Sequence, residues 1–223
     1  MNQPKVSIID YDLGNIYSVV NVCEKVGLST MITNDVKKIN TSDALILPGV
    51  GAYKEAMNNL KNLDLIYPIR DFAQSGKIVL GVCLGMQLLT KGSEEFGNCE
   101  GIGLFEGVCK SFKKINNSLK TPFIGWNEIR SPKGEKFSMK SPLKNTNCGE
   151  NMYFVHSFFV DDVDDNEVLS STHYNGFEYC SAMHRGNIYA FQFHPEKSGI
   201  EGIKIYQELK NIINSSNQYG NKT

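Results

Sequence analysis

The sequence predicts an α/β fold with a mostly parallel central sheet and β-rich additions in its second half. Three observations carry that expectation. In the first hundred residues, short apolar runs rich in branched side chains alternate with stretches of helical period, the pattern of strands covered by helices on both faces. The connections are short and bear glycine, as links within a layered α/β sheet do. Beyond Gly101 many short β-like runs replace the helical periods.

Residues 6–9 (Val-Ser-Ile-Ile) read as a buried strand that stops at Asp10. Ile16, Val19, Val20, Cys23 and Val26 then recur at helical spacing until Gly27 closes the helix. Strands are expected at 30–32 and 44–47, the second ending at Pro48-Gly49-Val50-Gly51, and helices at 53–60 and 65–73. Ile78-Val79-Leu80-Gly81-Val82 is the next strand, and a helical pattern starts directly after Cys83. In such sheets sites gather beyond the carboxyl ends of the strands, where loops 10–15 and 48–51 and the Cys83 turn all fall.

In the second half, strands are expected at 107–112, 153–160, 178–182 and 188–193, and residues 133–150 read as a polar loop excursion. The four acids within 161–165 lack the alternation of a calcium loop and read as a solvated turn. Ser198-Gly-Ile-Glu201 is a capping-box pattern, and Ile203, Tyr206, Leu209, Ile212 and Ile213 supply the stripe of a final helix. The whole is a flavodoxin-like three-layer sandwich: one domain over 1–213, then a polar, frayed tail over 214–223.

A chain of 223 residues with 41% hydrophobic and 21% charged residues builds one good core. The net charge of −1 gives no reason to expect a nucleic acid or membrane partner. No run reaches membrane-spanning length and the N-terminus is not a signal peptide, so a cytoplasmic protein is expected. Six scattered cysteines without a C-x-x-C, and four histidines without ligand spacing, argue against a disulfide framework and a metal site. No cofactor is expected.

The chemistry centres on Gly81-Val-Cys83-Leu-Gly85, a strand, sharp turn and helix in the order of a nucleophile elbow, with sulfur at its tip. Glycine on either side lets strand and helix approach closely, and the helix N-terminus favours a thiolate. A buried cysteine is more often core filler, so partners must decide. His194 ends the apolar run 189–193 and precedes Pro195, which favours extended geometry and puts Glu196 on the same side. That pair serves as base and orienting acid for Cys83. Oxyanion donors are expected from the backbone N–H of Leu84 and from the Pro48-Gly49-Val50-Gly51 turn, and Gln87 lies one helical turn beyond the sulfur. His173 and His184 sit in polar, turn-like surroundings and read as ordinary surface residues.

With Pro48-Gly-Val-Gly51, Gly81-Val-Cys-Leu-Gly-Met-Gln87 and Phe193-His-Pro-Glu-Lys-Ser198 together, the chain resembles class I (triad) glutamine amidotransferases. Ile9-Asp-Tyr-x-x-Gly-Asn15, Gly125-Trp-Asn127 and Tyr153-Phe-Val-His-Ser157 narrow the resemblance to the glutaminase subunits of imidazole glycerol phosphate synthases. The resemblance implies hydrolysis of L-glutamine through a Cys83 thioester, with His194 as base and acid and Glu196 orienting it. Val50, Gly51 and Leu84 would form the oxyanion hole, and Gly49, Gln87, His156, Ser157 and Phe158 would hold the substrate. Ammonia would pass to a (β/α)8-barrel cyclase in a heterodimer, forming imidazole glycerol phosphate and AICAR for histidine biosynthesis. Asn15, Trp126 and Lys197 match interface positions, and the family's activity stays low until the partner binds its own ligand.

Asp12, Phe123 and Phe158 stand where the family usually has a small residue, a histidine and a tyrosine. None touches the triad, but such changes suit a paralogue feeding another synthase, such as a surface-sugar amidotransferase. A non-catalytic interaction subunit is the reading outside the enzyme class. Cys83, His194 and Glu196, all retained, weigh against it.

Overall fold

Residues 3–132, 134 and 136–220 are described in a computed structural model. The first half is strand and helix in alternation: β1 (Lys5–Ile9), α1 (Ile16–Lys25), β2 (Ser29–Thr33), α2 (Val36–Asn40), β3 (Ala44–Leu47), α3 (Tyr53–Asn62), α4 (Ile66–Gln74), β4 (Ile78–Val82) and α5 (Leu84–Leu88). Then come β5 (Gly92–Ser93), β6 (Cys99–Glu100), β7 (Val108–Ser111), α6 (Phe112–Ile115), β8 (Phe123–Ile129), β9 (Glu150–His156) and β10 (Phe158–Asp161). β11 (Val168–Tyr174), β12 (Phe177–Arg185), β13 (Ile188–Phe191), a 3-10 turn at Pro195–Lys197 and α7 (Gly199–Gly220) complete the described chain.

Among the described residues an eleven-stranded sheet runs β2-β1-β3-β4-β13-β12-β10-β7-β5-β6, with β11 on β12, and β8 and β9 pair separately. The five strands from β2 to β13 are mutually parallel, and β12 turns the sheet antiparallel. Side chains alternate faces along each strand. Ile46, Leu80 and Val82 therefore enter one core with Val19 of α1 and Ile205 and Leu209 of α7. Leu45, Leu47 and Val79 enter the other with Leu60 of α3 and Phe72 of α4. This is the three-layer arrangement the sequence implied. Each fully buried Leu, Ile or Phe contributes about 1.5–3 kcal/mol.

The differences lie where tertiary contacts override local pattern. The expected strand 153–160 breaks at Ser157, because β9 pairs with β8 while β10 joins the main sheet. The 133–150 segment is a packed flap rather than a free excursion where it is described. Phe137 and Leu143 are buried in the α1–α7 core, Asn145 donates to Glu208 at 2.6 Å, and Lys144 pairs with Glu208 at 2.6 Å. Residues 133 and 135 lie outside the described residues. α7 does not end at Ile213 but continues to Gly220; of the expected frayed tail, 221–223 lie outside the described residues. Ser198, read as half of a capping box, donates its hydroxyl to the His194 carbonyl at 2.7 Å and accepts the Tyr153 N–H at 3.0 Å. It ties the turn after β13 to β9. Among the described residues, no helix is long and apolar enough to cross a membrane.

Candidate active site

β4 delivers Cys83 at φ 55° and ψ −111°, a left-handed backbone that costs a non-glycine residue about 1–3 kcal/mol. The surroundings hold it there. The Cys83 N–H donates to the Phe191 carbonyl at 2.7 Å, and its own carbonyl accepts the Gln87 N–H at 3.3 Å. The flanking glycines are sterically required: a Cβ on Gly85 would stand 1.8 Å from the Leu47 carbonyl oxygen, and one on Gly81 2.8 Å from the Gly85 oxygen. β3, β4 and α5 can therefore meet at the sulfur.

His194 and Glu196 arrive from the end of β13. The His194 N–H donates to the Tyr153 carbonyl at 2.8 Å, and its Nδ1 pairs with Glu196 Oε1 at 2.7 Å, both side chains 2% exposed. The pairing is the expected one, but its route is not: Glu196 sits in the 3-10 turn Pro195–Lys197, not in an extended segment. Burial alone would lower the imidazole's pKa. The Cys83 sulfur, and then Glu196, outweigh it and raise the pKa to about 10. Nε2 is buried without a nitrogen or oxygen partner among the described residues, leaving it for Cys83 and for a reacting group.

A cleft of about 250 Å³ opens over the sulfur, lined by Val50, Gly51, Cys83, Leu84, Gln87, His156, Ser157 and Phe158 among others. Most of the expected site residues thus meet at one place. The break between β9 and β10 brings in the last three. His156 itself turns inward: Nδ1–H donates to the Phe158 carbonyl at 2.8 Å and Nε2 accepts the Tyr179 hydroxyl at 3.2 Å. Burial holds its pKa down at about 4, so the ring is neutral and structural. The Ser157 carbonyl accepts the Phe112 N–H at 3.2 Å. What this segment can offer a ligand is N–H and hydroxyl groups rather than those two carbonyls.

One of the expected oxyanion donors, the Leu84 N–H, is not free in this conformation. It donates to the Gly49 carbonyl at 3.3 Å. The physical reason is packing: Gly85 lets β3 lie against the start of α5, and a buried N–H takes the nearest acceptor. Gly49 therefore lies beside Leu84 and outside the cleft lining. The 48–51 turn is anchored by Tyr11, whose buried hydroxyl donates to the Pro48 carbonyl at 2.6 Å. Burial, and then Cys83, push that phenol's pKa well up, so it stays a donor.

Glu95 was not anticipated from the sequence. It lines the same cleft and accepts the Tyr53 N–H, the first of α3, at 2.8 Å. Nothing in Ser93-Glu94-Glu95 marks the second acid over the first; only the docking of α3 selects it. On the β8–β9 pair, Trp126 is 56% exposed and packs on Tyr153 with ring centroids 5.9 Å apart. The exposed Lys197 places its ammonium over the same ring at 5.9 Å. Asn15 precedes α1, which packs against the Pro195–Lys197 turn.

A family model for class-I glutamine amidotransferases matches residues 7–209. An imidazole glycerol phosphate synthase subunit HisH from Sulfurimonas denitrificans is 42% identical over 94% of this chain and 99% of its own. The subunit of that name from Bacillus subtilis is 38% identical over 92% and 94%. Among solved structures, PurLQS from Thermotoga maritima superposes with a TM-score of 0.72 at 19% identity, covering 96% of this chain and 99% of that one; at that identity it speaks for the fold alone. A match across nearly the whole chain, over a site of this geometry, means that the chain belongs to the class-I glutamine amidotransferase family.

Proposed function

We propose that the protein hydrolyses L-glutamine to glutamate and ammonia as the glutaminase subunit of an imidazole glycerol phosphate synthase. Relatives carrying that subunit name are 35–42% identical over more than nine-tenths of the chain. The observation that carries the chemistry is the buried His194–Glu196 pair, coupled to a Cys83 that lines the cleft. Residues 1–213 act as a single catalytic unit in this reading.

Cys83 Sγ passes its proton to His194 Nε2 and attacks the side-chain amide carbon of glutamine. The imidazolium of His194 gives its Nε2 proton to the leaving nitrogen, ammonia departs and a thioester remains. The neutral imidazole then takes a proton from water, the hydroxide adds to the thioester carbon, and the sulfur leaves as thiolate. Glu196 holds Nδ1–H throughout and offsets the positive ring. Glu95 faces the α-ammonium group, since it is the acid among the cleft's lining residues and an ammonium ion needs such a partner. For the tetrahedral oxyanion, the Gly49 carbonyl must turn away from the Leu84 N–H. Leu84 and the backbone of Val50 or Gly51 then donate to it. Until that turn moves, one donor is occupied and the isolated chain is slow.

The ammonia acceptor is a (β/α)8-barrel cyclase that docks on the face bearing Asn15, Trp126 and Lys197. Closure by a partner keeps ammonia from water and therefore from protonation. The experiment is glutamate release from glutamine by the chain with its cognate cyclase and the cyclase's nucleotide ligand. We expect turnover that Cys83→Ala reduces to background; undiminished turnover by that variant overturns the mechanism. Co-purification with a synthase that is not a barrel cyclase overturns the pathway and leaves the glutaminase chemistry standing.

A further inference from the structure

Gln192 follows β13 and is wholly buried, and the proposed reaction has not used it. Its carboxamide touches two functional side chains. Gln87 Nε2 donates to Gln192 Oε1 at 2.9 Å, and Gln192 Nε2 faces Cys83 Sγ at 3.9 Å. The direction of this relay is not arbitrary. Gln87 Nε2 also donates to the Phe158 main-chain carbonyl at 3.0 Å, and a carbonyl oxygen can only accept. That contact fixes the Gln87 amide with its NH2 inward, using both N–H bonds, and leaves Oε1 to meet a ligand in the cleft. Gln87 then demands an acceptor from Gln192, so the Gln192 NH2 must turn to the sulfur. The sulfur also meets the Val155 carbonyl at 3.7 Å. Val155 can accept only from the thiol, whereas the Gln192 N–H is the contact that improves when the proton has gone to His194.

We propose that Gln192 is a positioning residue of this site: it locks Gln87 with its amide oxygen toward the substrate and presents an N–H to the Cys83 sulfur. One main-chain oxygen at the β9–β10 break thereby sets the polarity of both. The assignment rests on the proposed glutaminase reading. Its test is the reactivity of the sulfur without turnover, so the two can fail separately.

The experiment is the pH dependence of Cys83 alkylation by iodoacetamide in the full chain, read by mass mapping of the peptide that carries Cys83. Wild type, Gln192→Met, Gln87→Met and the double variant are compared. Each single variant should move the midpoint to higher pH by about half a unit or more. The double variant should move it no further than the larger single shift, because the two act as one relay. With the cyclase present, Gln192→Met should also raise KM for glutamine, since Gln87 is no longer locked. Profiles of folded variants that coincide with wild type overturn the proposal, as do single shifts that simply add. Should Gln192→Met fail to fold, the Gln87→Met profile decides alone: an unchanged midpoint refutes the relay.

Discussion

Acid should destabilise this protein through His156 in a window set by the ring's surroundings. The imidazole is 6% exposed, hydrogen-bonded at both nitrogens and packed against Phe112, Phe154 and Tyr179. Burial lowers its pKa from 6.5 to about 4, against the Phe158 carbonyl, which acts to raise it, and with a smaller downward push from His194. Between those values the unfolded chain binds the proton and the native one does not, so this ring costs no stability above about pH 6.5 and a growing amount as the pH drops toward 4. A difference of that size is worth about 3 kcal/mol. For a chain of this length it is about 7 °C in Tm. The assay is urea unfolding at half-unit steps from pH 4 to 8 for wild type and for His156→Asn, which keeps an amide N–H for the Phe158 carbonyl but cannot titrate. Carboxylates contribute to both proteins alike, so the difference in slope isolates one proton. Parallel curves would refute the reasoning.

Three further outcomes follow from the site. Gly85→Ala should cost at least about 3 kcal/mol or leave the chain unfolded, because its Cβ would stand 1.8 Å from a main-chain oxygen; urea midpoints measure this. Glu196→Gln keeps the shape of the Glu196–Nδ1 contact but removes its charge, and should lower kcat by roughly 10²-fold or more while KM changes little. Glu95→Gln should raise KM for glutamine about tenfold or more with a smaller effect on kcat, by loss of the ammonium partner. Initial-rate kinetics with the cyclase present check both.

Much of the site was legible before folding. Glycines at 81 and 85 around Cys83 report a backbone that only close approach of three elements requires, and the structure supplies that contact at Leu47. His194-Pro-Glu196 reads as a pair because the residues are two apart, although a 3-10 turn rather than a strand brings them together. Glu95 and Gln192 were not legible. Both sit among similar polar or apolar neighbours, and their meaning comes from α3 docking on one and from Gln87 and Cys83 meeting the other.

The sequence by itself determined which residues are candidates for the chemistry, the alternation of strand and helix in the first half and the layers that cover the sheet. Those are consequences of local period, glycine sterics and the reactivity of sulfur and imidazole. Only the tertiary structure decided the state of the donors. The Leu84 N–H, free by local reasoning, is occupied by the Gly49 carbonyl, and the orientation of two buried amides descends from one oxygen at the β9–β10 break. A hydrogen bond's direction depends on every partner within reach. Those partners come from the ends of β3 and β13, from α5 and from β10, which chain order places far apart and the fold brings to one site.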